Sequence, residues 1–326
     1  MTSQSRRQFL HLATAALATP ALPRLAWSQT WPSRAPIRAM IPFTAGSTVD
    51  IVGRVVLDAM SAGLGQTIIV ENRGGAGGTL GTAMVAKADP DGYTLLINAS
   101  AHSAAPAAYP NVTYDTAKDF SAVASFGSVP NVVVIAPGKG IKTLPDLVAA
   151  AKRGSLSYGS AGVGSATHWA AERLRISAGF QGVHVPFRGG PEALTEVVAE
   201  RVDFMCIGIS SGLPFIQDNK LIPLAVCTPK RSAALPNVPT TIEAGFADSD
   251  YVFWNGILAP AKTPREIIDR LHAETQKALA LPGVQAKFAP QGIEPMPLSP
   301  AEFDALIKKE IDSNIALVKA ANLKFN

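Results

Sequence analysis

Three short segments combine small residues with hydroxyl side chains in a way that can hold an anion without using charge. They are Thr44-Ala45-Gly46-Ser47-Thr48, Ser160-Ala161-Gly162-Val163-Gly164-Ser165 and Arg188-Gly189-Gly190. Each falls between an apolar, strand-like run and the start of a helix-like pattern. The first turn of a helix leaves backbone N–H groups without helical acceptors and carries the positive end of the helix dipole. Glycine lets the backbone approach a ligand closely, and serine and threonine add neutral hydroxyl donors. Such chemistry suits a carboxylate. Any one of these loops can simply turn the chain and cap a helix. Loops of this kind in both halves of the chain point instead to a shared cleft, because domain interfaces are preferred ligand sites.

Catalytic readings of the same residues are weaker. Gly162-Val163-Gly164-Ser165-Ala166-Thr167 lacks the third glycine of a dinucleotide loop. The sequence contains neither a Walker lysine motif nor a Gly-x-Ser-x-Gly elbow, so Ser160 and Ser165 lack the context of a hydrolase nucleophile. His168, three residues after Ser165, can orient a ligand or donate to one, but as a general base it needs an orienting acid that the sequence does not identify. A satisfied histidine at a helix start is the default. No catalytic residue and no cofactor are assigned. No metal is expected either, since the five histidines are scattered and no cysteine-rich cluster accompanies them. Cys206 and Cys227, the only cysteines, lie in the apolar strand-like runs Val202 to Ile209 and Leu221 to Cys227. An oxidising compartment permits a disulfide between them, but two buried free thiols are the preferred reading.

The elements that position these loops follow from the pattern along the 326 residues. Residues 1–28 read as a twin-arginine signal peptide. Arg6-Arg7 precedes the apolar run Leu10 to Leu17, and the small-residue site Ala26-Trp27-Ser28 closes the segment. The apolar run is shorter than the roughly 20 residues of a membrane span. The formal charge of +4 falls to about +1 once Arg6, Arg7 and Arg24 are removed, so the basic balance implies no nucleic-acid partner. A periplasmic product is expected. Roughly 300 residues remain, enough for two domains of ordinary size.

From residue 36 strands, glycine-rich loops and helices alternate, which argues for parallel sheets with crossover helices. Ile37 to Ile41, Thr67 to Glu71 and Tyr93 to Asn98 read as strands, with helices over Val49 to Met60 and Thr79 to Lys87. A second series begins with a strand at Val132 to Ala136. It continues through a Thr143-capped helix ended by Gly154, strands at Leu156 to Tyr158 and Val183 to Pro186, a helix capped by Ser165 and running to about Ser177, and a helix with Pro191 in its first turn. Leu221 to Thr228 reads as a strand that carries the chain back to the first half. One lobe is therefore expected from residues 34–130 plus 228–326, and the other from 131–227. Thr263-Pro264-Arg265-Glu266 and Ser299-Pro300-Ala301-Glu302 each carry the signature of a capped helix start.

At its loops the chain resembles the periplasmic receptors of tripartite tricarboxylate transporters, the Bug family of solute-binding proteins. The matching stretches are Pro42 to Asp50 with Arg54, Val70 to Gly78, Asp91 to Leu96, Tyr158 to Ser165 with His168, Val185 to Gly189, and Gly256 to Pro264. They span nearly the whole chain after the signal. The resemblance implies an α/β fold of the type II periplasmic-binding-protein kind, with two α/β lobes joined by two crossing strands around a ligand cleft. It implies that the loop after Phe43 and the loop after Tyr158 hold a ligand carboxylate, partly through ordered water. The expected ligand-binding residues are Phe43, Thr44, Ala45, Gly46, Ser47, Thr48, Asp50, Asn98, Ser100, Ser160, Ala161, Gly162, Ser165, Thr167, His168 and Arg188. Ser47 stands where the family usually has a second glycine. Asp50 matches a family position, although an acid in the first turn also favours the helix itself. Ligand choice is expected from side chains around Asn98 to His102, Ile209 to Ser211 and Phe253 to Asn255.

The implied partners are a small organic anion and the membrane subunits of a tripartite tricarboxylate-type transporter, with the protein itself a monomer. Two other classes stay open at this point. One is a receptor that reports the ligand to a membrane signalling kinase, and the other is a periplasmic hydrolase using Ser165 and His168.

Overall fold

Short apolar runs make the strands, and glycine or a capping hydroxyl starts each helix that crosses between them. The computed structural model describes residues 31–320; the twin-arginine segment expected at residues 1–28 lies outside them. Ile37–Ile41 (β1) pairs in parallel with Ile68–Asn72 (β2) on one side and Thr94–Ala99 (β3) on the other. Helices Thr48–Leu64 (α1) and Thr79–Ala86 (α2) make the crossovers. Leu156–Ser160 (β5) similarly pairs in parallel with Gly182–Pro186 (β6) and Phe204–Gly208 (β7), with helices Ala166–Ala178 (α5) and Gly190–Val198 (α6) between them.

The two halves share one strand. Phe120–Ile135 (β4) is 16 residues long. Its first part pairs antiparallel with Val252–Pro260 (β9), which in turn pairs with β3. Its second part pairs with β7 and with Ile222–Val226 (β8). The order is thus β2-β1-β3-β9-β4-β7-β5-β6, with β8 beside β4. Pro130, opposite Val252, is the last residue of the β9 ladder, and Asn131, opposite Gly208, is the first of the β7 ladder. Proline lacks a ladder donor, so it fits where the strand changes partner.

This differs from the sequence pattern in two respects. The strand read from Val132 begins twelve residues earlier, because Ser121, Ser125, Gly127 and Ser128 interrupt the apolar run although that part of the strand is largely buried. The run Leu221 to Thr228 was expected to return the chain. Instead β8 stays with the second sheet, the segment after it doubles back beside it, with the Thr241 N–H donating to the Val226 carbonyl and the Tyr251 N–H to the Cys227 carbonyl, and β9 carries the chain into the first sheet.

Each sheet buries both faces. On the first, α1 and Arg265–Ala280 (α8) cover Ile37, Ile41, Val52, Val56, Ile257 and Leu271. The other face packs Met40, Leu96, Trp254 and Phe303 under Pro300–Ala320 (α10), with the Trp254 and Phe303 rings edge to face at 4.8 Å. On the second sheet, Leu144–Arg153 (α4) and α5 cover one face, including Val133, Leu147, Leu174 and Phe204. The opposite face packs Val134, Leu194, Met205 and Ile207. Cys206 and Cys227 are both buried and free.

Capping signals were realised unevenly. Ser299 and Glu302 exchange the reciprocal bonds of a capping box. Thr263 does not cap: α8 starts after Pro264, and the buried Thr263 hydroxyl has no partner.

Candidate functional site

The carboxyl ends of β1, β3, β5 and β7 meet at one pocket. It is small, about 30 Å³, and is lined by Phe43, Ser47, Thr48, Val49, Ala99, Ala101, Ala161, Ser165, Ala166, Thr167, Gly190, Ile207 and Phe253. Open α/β sheets place ligands beyond these strand ends.

Two of the loops are built alike. Gly46 and Gly164 both adopt the left-handed conformation, at φ 76° and 71°. Each is followed by a serine in nearly identical extended geometry, Ser47 at φ −66°, ψ 158° and Ser165 at φ −68°, ψ 160°. Ser47 caps α1 by accepting from the Asp50 N–H, and Ser165 caps α5 by accepting from the His168 N–H, both at 3.3 Å. Thr48, Val49, Ala166 and Thr167, in the first turns of the two helices, therefore line one pocket from two lobes, at the positive ends of the helix dipoles.

The hydroxyl side chains mostly hold the loops rather than face the pocket. Ser165 Oγ donates to the Gly162 carbonyl at 2.7 Å, and Thr167 Oγ1 accepts from the Ala161 N–H at 2.9 Å. Ser160 Oγ meets His184 Nε2 at 2.6 Å and accepts from the Gly162 N–H. Asp50 is an organiser of its own loop. Its carboxylate accepts from the Gly46 N–H, Arg54 and Asn72, each at 2.9 Å, and Asn72 also donates to the Phe43 carbonyl.

His168 supports the second loop from behind. Its Nδ1 accepts the Gly164 N–H at 3.1 Å, which requires an unprotonated Nδ1. The ring stacks on His184 with centroids 3.9 Å apart, and Tyr158 stacks beyond. Burial, reinforced by His184, pushes the His168 pKa down to about 3; burial takes His184 down to about 4. Both rings are neutral at neutral pH. Glu172 beside them bonds Tyr158 and Arg175. Burial pushes its carboxyl up, but the hydrogen bonds from Arg175 and Tyr158 outweigh this and hold it below the usual range.

The lobes touch across the cleft. Thr48 Oγ1 meets Ser211 Oγ at 3.0 Å, and Thr44 Oγ1 donates to Glu192 at 3.2 Å. Tyr109 Oη donates to the Val163 carbonyl at 3.0 Å. Gly77 lies so close to Val163 that a Cβ there would fall 2.0 Å from its carbonyl oxygen.

Of the residues expected from sequence, Phe43, Ser47, Thr48, Ala161, Ser165 and Thr167 line the pocket. Thr44 is half-buried, Ala45 and Gly46 are exposed at the rim, and Ser160, Gly162, Asp50 and His168 form the layer behind. Asn98 points its amide at α2, donating to Thr82 and accepting from the Ala99 N–H. Ser100 accepts from the Trp254 N–H. Arg188 is exposed and outside the lining. Gly190 belongs to the third expected loop, and Ala99, Ala101 and Phe253 fall in the stretches expected to choose the ligand; all four line the pocket. Sequence reasoning did not single out Val49, Ala166 or Ile207, whose common signal is position: each lies at the carboxyl side of a strand or opens the next helix.

Two α/β lobes sharing a long strand, with helix starts from both facing one pocket, define a periplasmic-binding-protein fold. Residues 52–323 match the family described as tripartite tricarboxylate transporter family receptor, and the chain belongs to that family. It is 36% identical over 299 residues to a UPF0065 protein encoded in the tcbD-tcbE intergenic region of Pseudomonas sp. strain P51, covering 91% of this chain and 89% of that one. The solved structure of the periplasmic binding protein BugD is similar at a TM-score of 0.86 and 30% identity, covering 89% of this chain and 99% of BugD. MatC of Rhodopseudomonas palustris, solved with bound malate, is similar at a TM-score of 0.83 and 30% identity, covering 88% and 99%.

Proposed function

We propose that this receptor captures a small organic carboxylate in the cleft and presents it to the membrane subunits of a tripartite tricarboxylate-type transporter. It acts as a monomer in the periplasm after export by the twin-arginine route. The observation that carries the reading is the convergence of two serine-capped helix starts, at Ser47 and Ser165, on one pocket. Backbone donors fixed in place bind an anion without the desolvation cost of burying a cationic side chain. Malate in the related MatC supports the ligand class. Among the described residues no helix is long and apolar enough to cross a membrane, which suits a receptor that moves between ligand and transporter.

Calorimetric titration of the mature protein with a panel of carboxylates, beside the matched primary amides, tests the proposal. At least one carboxylate should bind while its amide does not. Bound ligand at 100 times its dissociation constant should also add about 2.7 kcal/mol to stability. A panel without binding, or amides that bind as tightly as acids, would sink it.

A further inference from the structure

The pocket lining contains no Lys, Arg, His, Asp or Glu. Away from Ser47 and Ser165 its wall is made of Phe43, Ala99, Ala101, Ile207 and Phe253. Whatever else the ligand carries besides its carboxylate is therefore met by uncharged groups.

Two uncharged amides lie just behind this lining, on the strands that join the lobes. Asn131 on β4 and Asn255 on β9 are fully buried, and both polar atoms of each amide lack a hydrogen-bond partner. Leaving such groups unsatisfied in the interior is unfavourable, and most buried polar atoms are paired. The strand register sets both beside residues that line or touch the pocket. Asn131 lies opposite Gly208, and directly opposed residues share a face. A Cβ on Gly208 would fall 2.2 Å from Thr48 Oγ1, and Thr48 lines the pocket. Asn255 lies opposite Ala99 and two residues from Phe253 on the same face, and both of these line the pocket.

Building on the carboxylate reading, we infer that Asn131 and Asn255 determine specificity by hydrogen-bonding a neutral polar group on the ligand. The ligand class is then a hydroxy- or oxo-carboxylate rather than a plain acid. An amide offers two donors and an acceptor, so it reads a hydroxyl or keto oxygen without needing charge. The helix starts hold the carboxylate and the hinge amides read the group beside or beyond it. A site built to bond such an oxygen discriminates against the analogue lacking it, since the amides are then left unpaired.

Calorimetric titration with acids that differ by one hydroxyl tests this: 2-hydroxybutyrate against butyrate, malate against succinate, and mandelate against phenylacetate. In the pair that binds, the hydroxylated member should bind at least roughly tenfold more tightly. Asn131→Leu and Asn255→Leu should each reduce that preference to about threefold or less. Because the replaced amides have no partner in the protein, neither variant should melt below the wild type; asparagines needed only for structure would show the reverse. A wild-type preference near unity, or one retained in both variants, would overturn this inference and leave the carboxylate reading intact. Failure of every acid to bind would overturn both.

Discussion

The Thr48 and Ser211 hydroxyls meet at 3.0 Å across the cleft, joining the first turn of α1 to the start of Ile209–Gln217 (α7). Ser211 Oγ also lies 3.1 Å from the Gly46 carbonyl, which can only accept, so the Ser211 proton goes there and Thr48 is the donor to Ser211. One serine thus holds both the glycine that shapes the first loop and the helix start behind it. These bonds exist only with the lobes together. Ser211→Ala should therefore weaken carboxylate binding by roughly three- to tenfold, the effect of about 0.5–1.5 kcal/mol, with no change in fold. Calorimetric affinity beside the circular-dichroism melt checks it; unchanged affinity would mean the contact does not favour the closed arrangement.

Gly77 offers a sharper test of lobe contact. At φ 60° any side chain is strained, and its Cβ would fall 2.0 Å from the Val163 carbonyl oxygen. Gly65 is strained alike at φ 62° but has nothing within 4 Å. Alanine at either position should cost about 1–2 kcal/mol of stability through the left-handed backbone. Only Gly77→Ala should also lower affinity, by roughly tenfold or more, because backbone cannot move aside as a flexible side chain does. Equal affinities in the two variants would show that the segments at 77 and 163 need not meet when ligand binds.

Much of this site was legible before the structure. A glycine followed by a serine or threonine between an apolar run and a helix pattern is a local signal, and Gly46-Ser47 and Gly164-Ser165 obey it because cap and turn chemistry depend on near neighbours. Ser47, where the resemblance led a second glycine to be expected, takes the same cap geometry as Ser165. The apolar wall was less legible. Ala99, Ile207 and Phe253 look like any core residues, and only their places at strand ends distinguish them. Asn255 fell within a stretch expected to choose the ligand, but Asn131 could not be read at all, since the place of both depends on β4 and β9 pairing across more than a hundred residues. The long strand was hidden for the same reason: serines and a glycine interrupt the apolar run of its first half, which is buried by long-range partners.

Asp50 gathers the Gly46 N–H, Arg54 and Asn72 without lining the pocket. Replacing it should affect binding through loop geometry. Asp50→Ala removes three acceptor contacts from a buried position and should cost about 1–3 kcal/mol, with affinity falling in parallel. Asp50→Asn keeps an oxygen for the Gly46 N–H and should recover part of both. If Asp50→Ala lost binding while its melting temperature stayed at the wild-type value, direct contact with ligand would be the better account.

The buried histidines set the response to acid. Burial pushes His102 and His168 down to about 3 and His184 to about 4, whereas an unfolded histidine titrates near 6.5. Below pH 6.5 the unfolded chain takes up protons that the folded protein refuses, so stability is greatest above that pH and declines as pH falls toward 3. Each histidine contributes a slope of about 1.4 kcal/mol per pH unit once its unfolded form is fully protonated. Glu172 and Asp203, whose folded pKa values lie below the usual range, lose their contribution only below the ordinary carboxylate range. Glu310, raised by burial, acts with the opposite sign and offsets part of the slope. Between pH 6.5 and 4.5 the histidines should dominate. His184→Gln keeps a group able to bond Ser160 but cannot titrate, so it should flatten the slope by about a third, one of three such groups. Denaturant melts at half-unit pH steps measure this directly. A variant slope equal to the wild type would show that His184 accepts a proton in the folded state without penalty, and that the stacked pair behind the second loop is not held neutral.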